Sequence, residues 1–419
     1  MENASGGEDM AGMRVIVIGG GAAGFFGAIT CAEAAPQAHV TLLEAAPEPL
    51  GKVRSSGGGR CNVTHHCFDP ALLVQHYPRG GKALRGAFTR FQPRDTVAWY
   101  QRRGVRLKTE PDGRMFPTTD DSATIVDCLM AETRRVGVTV RPKSAVTGVE
   151  RTTSGFVVTL RSREQLRCDR LLLASGSSPQ GYRIAKALGH TIVSPVPSLF
   201  TFNIPDRALR QLAGVAVDPV DVKLVVSGAK PLPQTGPLLI THWGLSGPAV
   251  LKLSAWGARL LHEARYRGEL KVNWLPAMPL EQVRAALLAA KGAVPKRAIA
   301  NHCPLEVPKR LWRYWVAQAG LDDAVTWANL PKKALNQLVE AICRGTFAIE
   351  GKGVFKDEFV TCGGIKLAEV DFKTMASRRC PGLFLAGEVL DIDGVTGGFN
   401  FQSAWTTGWL AGQAIAQSP

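Results

Sequence analysis

The chain's first clear pattern is a short apolar run, 14–18, rich in branched residues. A run this short and continuous predicts a strand buried on both faces. Apolar positions then take up helical spacing at Phe25, Phe26, Ala28, Ile29 and Ala32. A second apolar run, 39–43, predicts another strand, and Glu44 ends it. Between the first strand and the helix lies Gly19-Gly20-Gly21-Ala22-Ala23-Gly24, which fits G-x-G-x-x-G. Strand, glycine turn, helix, strand and acid at this spacing predict a dinucleotide site of Rossmann type. Gly19 makes the turn, Gly21 admits a pyrophosphate, and Gly24 lets helix and strand approach. The helix N-terminus offers free N–H groups at Ala22 and Ala23. Glu44 and the adjoining Ala45 sit where a ribose is held. An acid there, instead of a base, selects a free 2′-hydroxyl, so FAD or NAD over NADP.

Further along, helical spacing recurs at 96–103, 122–135 and 182–188, and strand-like runs at 138–140, 145–149 and 155–160. Leu171-Leu172-Leu173-Ala174 predicts a buried strand that ends at Ser175-Gly176. The segment 51–64, with Lys52, Gly59, Arg60, Cys61 and Asn62, holds three consecutive glycines, which suit neither helix nor strand interior. It suits a backbone pressed against a flat or anionic ligand. From about Pro195 the pattern changes. Runs at 200–203, 220–226 and 238–241 alternate between prolines, as in an antiparallel or barrel-like unit. Helical periodicity follows at 280–290, 307–319 and 332–343. The tail returns to α/β character. A buried strand at 381–386 leads into Gly387-Glu388, then Asp391, then Gly397-Gly398-Phe399-Asn400 and a final helix from about 402. One long ligand held by both chain ends is the economical reading, and FAD has that length. Its ADP half would lie on the first turn and its flavin on the second, with Glu388 and Asp391 near the ribityl chain. The backbone at Gly397, Gly398, Phe399 and Asn400 would face the flavin N1–C2=O edge, where a helix N-terminus stabilises developing negative charge.

The resulting fold class is α/β. A Rossmann-like FAD-binding domain (13–194 and 346–419) is built from both ends. An inserted substrate-side domain (195–345) is β-rich to 275 and helical after it. Residues 1–12 are small and acidic, without the basic and apolar regions of a signal peptide, and read as a disordered tail. No apolar run approaches the ~20 residues of a membrane helix. A cytoplasmic enzyme without membrane contact is expected, and the sequence leaves its oligomeric state open. Nine scattered cysteines imply reduced thiols. Cys61 and Cys67 lack the spacing of flavin disulfide reductases, and with His65 and His66 they lack the second pair of a zinc site, so no metal is expected. The net charge is +15, and 195–345 carries 19 Lys and Arg against 10 Asp and Glu, a net of +9. Those bases are dispersed and not interleaved with aromatics, so nucleic acid is not the expected partner.

Five segments carry a family resemblance: 15–24, SGGGRCNVT at 56–64, THWGLSGP at 241–248, TCGGI at 361–365, and 381–402. They resemble the BaiN-like flavoproteins, within the two-dinucleotide-binding-domain flavoproteins. The resemblance implies an FAD domain from both chain ends and a flavin oxidoreductase activity. One branch reduces carbon–carbon double bonds of steroid-like enones with a nicotinamide donor. It also implies adenine contact through the Val146 backbone and an acid at Glu388. The expected reaction passes hydride from NAD(P)H through flavin N5 to a small-molecule acceptor such as an activated C=C bond. With no second Rossmann fingerprint, the donor would dock transiently in the cleft between FAD domain and insert.

Several side chains admit two readings. Arg60 could face phosphate or the flavin pyrimidine edge, or brace its loop. His242 could donate a proton or sit in a turn. These two are the only catalytic candidates. Tyr182, Trp243 and Phe399 could line a substrate pocket or belong to the core. Two other functions stay open: an RNA-associated flavoprotein using the basic insert, and a non-catalytic flavin redox sensor.

Overall fold

The computed structural model describes residues 12–353 and 360–418. All but the last residue of the expected disordered tail lies outside the described residues. The chain forms two compact units, one from the segments up to Pro195 and from Val360 on, the other from Val196–Phe359.

The first unit is built on a seven-stranded sheet. Its centre is parallel: Leu383–Leu385, Arg170–Leu173, Arg14–Ile18, His39–Leu43 and Thr139–Arg141 lie side by side in that order. The carboxyl ends of the first, second and third of these strands lead into Ala386, Ala174 and Gly19, so the two glycine turns and Ser175 emerge at one edge. Val370–Asp371 and Ala376–Ser377 extend the sheet antiparallel. The helices Ala22–Ala34 and Phe399–Ala416 pack against each other through small residues. A Cβ on Gly408 would stand 2.5 Å from the Ala23 carbonyl oxygen, and one on Gly412 2.5 Å from that of Gly27. That close approach ties the two chain ends together. Beneath it, Phe26 packs against Trp99 and Trp405, with ring centroids 4.5 and 4.7 Å away.

Two smaller sheets flank the site: Thr64–His65 with Arg114–Pro117 and Leu107–Thr109, and a meander of Val146–Arg151, Phe156–Leu160 and Gln165–Cys168. The helix Gly81–Phe88, which buries Leu84, Ala87 and Phe88 on one face, and the pairing of Thr64–His65 are additions to the elements expected from the sequence. The final helix begins at Phe399, three residues before the sequence suggested, because Gly398 supplies a left-handed N-cap.

The second unit holds a six-stranded antiparallel sheet in the order Phe202–Asn203, Gly244–Ser246, Leu232–Ile240, Ala216–Val225, Arg267–Asn273 and Gly345–Glu350. The edges nearly close into a barrel. Asn203 N–H donates to the Gly351 carbonyl at 2.9 Å, and Gly353 N–H to that of Thr201 at 2.8 Å. The last strand pairs with Arg267–Asn273, so this unit continues past 345, the end expected from the sequence. Helices Leu280–Ala293, Lys309–Gln318 and Lys332–Arg344 bury Trp274, Trp312, Trp315 and Trp327 beside it.

A carboxylate cluster pins the edge of the first unit's sheet. Glu369 accepts from Thr191 N–H and its hydroxyl, both at 2.9 Å, and from Arg379 at 3.3 Å, with His190 Nδ1 at 3.2 Å. Burial alone would raise its pKa, but these donors outweigh burial and hold it at about 2. The stabilisation is therefore complete above the ordinary carboxyl pKa of about 4.3 and lost as pH falls through 2. Glu369→Gln is expected to flatten the decline of melting temperature between those pH values. An unchanged acid limb in a thermal-melt series would contradict this.

Candidate cofactor site

The first glycine turn has the geometry its sequence requires. Gly19 N–H donates to the Leu43 carbonyl at 2.9 Å, and Leu50 N–H to the Gly20 carbonyl at 2.8 Å. A Cβ on Gly24 would stand 1.9 Å from the Gly19 carbonyl oxygen, whereas one on Gly21 would meet nothing within 4 Å. Space is therefore open at Gly21, where the N-terminal N–H groups of Ala22–Ala34 lack carbonyl partners in their own helix. Glu44 closes this end. Its Oε2 accepts from Gly20 N–H and its Oε1 from Ala46 N–H, each at 2.7 Å. Each oxygen keeps a further lone pair for a ligand hydroxyl. Ala45 lies exposed between Glu44 and Ala46. Ser144 N–H donates to the Glu44 carbonyl at 2.7 Å, which sets Val146 at the same end.

The second turn is held from three sides. Gly387 N–H donates to Thr407 Oγ1 at 2.9 Å. Glu388 Oε1 accepts from Thr361 N–H at 3.0 Å, and its Oε2 pairs with Lys52 at 2.6 Å. Lys52 thereby bridges the segment after Glu44 to the chain's other end. Gly176 lies beside them, since a Cβ there would be 3.7 Å from Glu388 Oε2.

The glycine segment after Lys52 starts as a helical turn and breaks at Ser56, with Gly57 and Gly58 at positive φ. Its buried end is anchored on the last helix. With the Asn62 amide oriented to satisfy both neighbours, it donates to the Thr64 carbonyl at 3.1 Å and accepts from Gly398 N–H at 3.0 Å. Trp405 Nε1 donates to the Val63 carbonyl at 2.9 Å, and Thr64 Oγ1 to Gln402 at 2.6 Å. Gly397 and Gly398 both have positive φ, and a Cβ on Gly398 would stand 2.5 Å from the Thr64 carbonyl oxygen. Asn400 closes the preceding loop by accepting from Gly394 N–H and donating to its carbonyl, at 2.8 and 2.9 Å.

Burial leaves some polar atoms unsatisfied. Ser175 Oγ and Tyr182 OH have no hydrogen-bond partner among the described residues. Burial, then the nearby Glu388 and Asp391 carboxylates, push the Tyr182 phenol up, so it stays a neutral donor. Orphaned buried hydroxyls at Ser175, just past a strand end, and at Tyr182 on the helix Pro179–Ala187, open space at Gly21 and acids at Glu44 and Glu388 fit an FAD molecule laid across both turns. Ala174, Ser175 and Gly176 would flank its middle.

Other expectations meet a different arrangement. Arg60 is bound to Glu110 at 2.6 Å, has Asp120 at 3.5 Å, and lies 4.0 Å over the Phe116 ring. Two carboxylates and an aromatic face claim its guanidinium, so it braces the glycine loop. Gly398 N–H is used by Asn62, which leaves the following N–H groups of the helix as donors. Phe399 is buried and stacked on His76 at 4.2 Å and His65 at 4.7 Å, as core. Cys61 is fully buried, and burial pushes its thiol up to about 12, which suppresses thiolate chemistry. His242 and Trp243 are exposed in the second unit, where Thr241 Oγ1 makes the turn's hydrogen bonds. Asp391 N–H donates to the Ile365 carbonyl at 3.1 Å.

The sequence reading missed the buried pair of Arg79 with Asp393. Asp393 has no exposed side-chain surface. Burial would lower the Arg79 pKa, but the hydrogen bonds and charge of Asp393 outweigh it and hold the guanidinium charged. Next to it, Tyr77 OH donates to the Phe399 carbonyl at 2.6 Å. These contacts fix the loop that carries Gly397 and Gly398. Their partners lie more than 300 residues apart, and the only sequence hint was an acid-rich loop after Glu388.

The HI0933-like protein Rossmann domain model matches residues 13–414. The 3-dehydro-bile acid delta(4,6)-reductase of Clostridium scindens is 30% identical over 97% of this chain and 100% of its own. The ribosomal RNA dihydrouridine synthase of Escherichia coli K12 is 32% identical over 96% of this chain and 97% of its own. Among solved structures, the 3-ketosteroid-delta4-(5alpha)-dehydrogenase of Rhodococcus jostii RHA1 aligns over 97% of both chains with a TM-score of 0.52 at 15% identity, a likeness of fold. The chain belongs to the HI0933-like Rossmann-domain family and is an enzyme of the flavoprotein oxidoreductase class.

Proposed function

We propose that the protein binds FAD across its two glycine turns and reduces a carbon–carbon double bond conjugated to a carbonyl, with NADH or NADPH as the electron source. The observation that supports this is the open space at the Gly21 turn, together with the hydrogen-bonded acids Glu44 and Glu388 and the unpartnered buried hydroxyls of Ser175 and Tyr182. Bound FAD supplies hydride chemistry at its N5. The chain's own residues do the rest. The N-terminal N–H groups of Ala22–Ala34 would take the pyrophosphate, and Glu44 the adenosine ribose. Ser175 and Tyr182 would donate to the ligand's middle. The first N–H groups of Phe399–Ala416 would stabilise negative charge developing at the far end. Asn62, Arg79 and Asp393 hold that helix start in place.

A conjugated acceptor is supported by the names of two relatives, one a bile acid reductase and one a dihydrouridine synthase. A 3-keto steroid with ring unsaturation and a uracil ring both present a C=C bond next to a carbonyl. Steady-state oxidation of NAD(P)H with a steroid enone, and mass analysis of uridine-containing RNA after incubation with enzyme and donor, separate the two. Activity on neither would refute the acceptor class. The RNA form has a specific point in its favour, the +9 charge of residues 195–345.

Glu44→Ala is expected to weaken FAD binding by roughly tenfold, about 1.5 kcal/mol for lost hydrogen bonds to a charged group. Binding of FAD to apoprotein by flavin fluorescence quenching measures it. Unaltered affinity would remove Glu44 from the site.

A further inference from the structure

The second unit carries a cationic face whose full extent depends on packing. Residues 291–320 hold six Lys and Arg against one Glu. Lys296, Arg297, Lys309, Arg310 and Arg313 are all exposed. None of these five forms an ion pair with a carboxylate among the described residues. Tertiary hydrogen bonds add more. Arg310 Nη2 donates to the Gln211 carbonyl at 2.5 Å, and Tyr314 OH to Asp206 Oδ2 at 2.5 Å. These bonds bring the short helix Arg207–Arg210, with its two arginines, against Lys309–Gln318. Bases spread over a hundred residues of sequence thus share one surface.

A cavity of about 340 Å³ opens on the same face, lined by Asn301, His302, Cys303 and Trp312 and rimmed by Lys309 and Arg313. Arg313 is aimed by a 2.7 Å hydrogen bond to Asn301 Oδ1. His302 Nδ1 is buried without a hydrogen-bond partner among the described residues. An indole, an imidazole with an open nitrogen and an amide suit a planar, hydrogen-bonding guest. Lysine and arginine at the rim suit the phosphates on either side of it. An acidic membrane would call for exposed apolar side chains beside the bases. Among the described residues, the exposed large hydrophobic ones, Leu72, Leu239, Trp243, Trp256 and Leu288, all lie outside 291–320.

We infer that this face binds single-stranded RNA, with the cavity between Asn301 and Arg313 taking one unstacked nucleotide. The inference rests on the RNA form of the proposed function and gives that substrate a docking surface. Fluorescence anisotropy with a labelled single-stranded RNA 20-mer tests it on the full-length holoprotein across a KCl series. The double variant Lys309→Gln with Arg313→Gln should bind roughly tenfold more weakly, with a salt slope smaller by about one for each phosphate no longer neutralised. The control, Lys223→Gln with Lys271→Gln, removes the same charge from paired strand positions of the barrel and should bind like the unaltered protein. Inorganic polyphosphate of matching charge should bind more weakly than RNA. Equal losses in both double variants, or no loss in either, would overturn the surface. Equal affinity for polyphosphate would overturn the nucleotide pocket. Flavin content and NAD(P)H-dependent bleaching, measured on the same preparations, separate failure of this surface from failure of the flavin-reductase reading.

Discussion

Replacing Gly24 with valine is expected to give a protein that purifies without flavin. The added Cβ would stand 1.9 Å from the Gly19 carbonyl oxygen, a backbone atom that cannot step aside without opening the turn. Forcing side-chain atoms into such a contact costs about 1–3 kcal/mol of stability. The larger effect falls on binding. If the turn moves, two charge-assisted hydrogen bonds to the pyrophosphate go with it, each worth about 1.5–3 kcal/mol. FAD affinity should fall at least ~100-fold. Gly21→Ala separates the two effects. Its Cβ meets nothing in the protein, so the apoprotein should melt as before. It would fill the space assigned to the pyrophosphate, so FAD should bind more weakly all the same. Thermal melts of the apoproteins and flavin-quenching titrations read both quantities. A Gly21→Ala protein with unaltered FAD affinity would show that the open space serves something else.

The second large effect is expected at Asp393. Its carboxylate is fully buried and pairs with Arg79, whose side chain is itself mostly buried. Asp393→Ala takes away the main counter-charge of a guanidinium held inside the fold. Breaking a buried pair from one side typically costs about 3–5 kcal/mol. The loop from Asp391 to Gly397 should loosen, and with it the start of Phe399–Ala416. The double variant Arg79→Met with Asp393→Leu should recover most of that loss, because it leaves no charge behind. Urea denaturation of the single and double variants measures both. A single variant within about 0.5 kcal/mol of the original protein would show that the pair is not a structural anchor.

Much of the first unit is legible in the sequence because its signals are local. The apolar run Arg14–Ile18, the spaced glycines and Glu44 fall within about thirty residues, and each limits the others. The same holds for the strand before Gly387 and Glu388. The barrel-like region was legible as alternation between prolines, but its end was not, because Gly345–Glu350 is recognised only through its pairing with Arg267–Asn273. Arg60 shows the limit for side chains. Its place in a glycine loop left ligand contact and loop bracing both open, and the carboxylates that hold it, Glu110 and Asp120, lie fifty and sixty residues on. The grip of Asn62 on Gly398 and the pair of Arg79 with Asp393 likewise depend on partners more than 300 residues apart. The basic run of Lys296 to Arg313 is local in the sequence, and only its junction with Arg207 and Arg210 depends on how the helices pack.

An anaerobic titration of the purified protein with NADPH and then NADH, followed by visible absorption, decides whether it is a flavin-dependent reductase. A two-band flavin spectrum that bleaches with one donor and returns on adding a conjugated acceptor is the predicted result. A protein that carries no flavin even after incubation with FAD would contradict it.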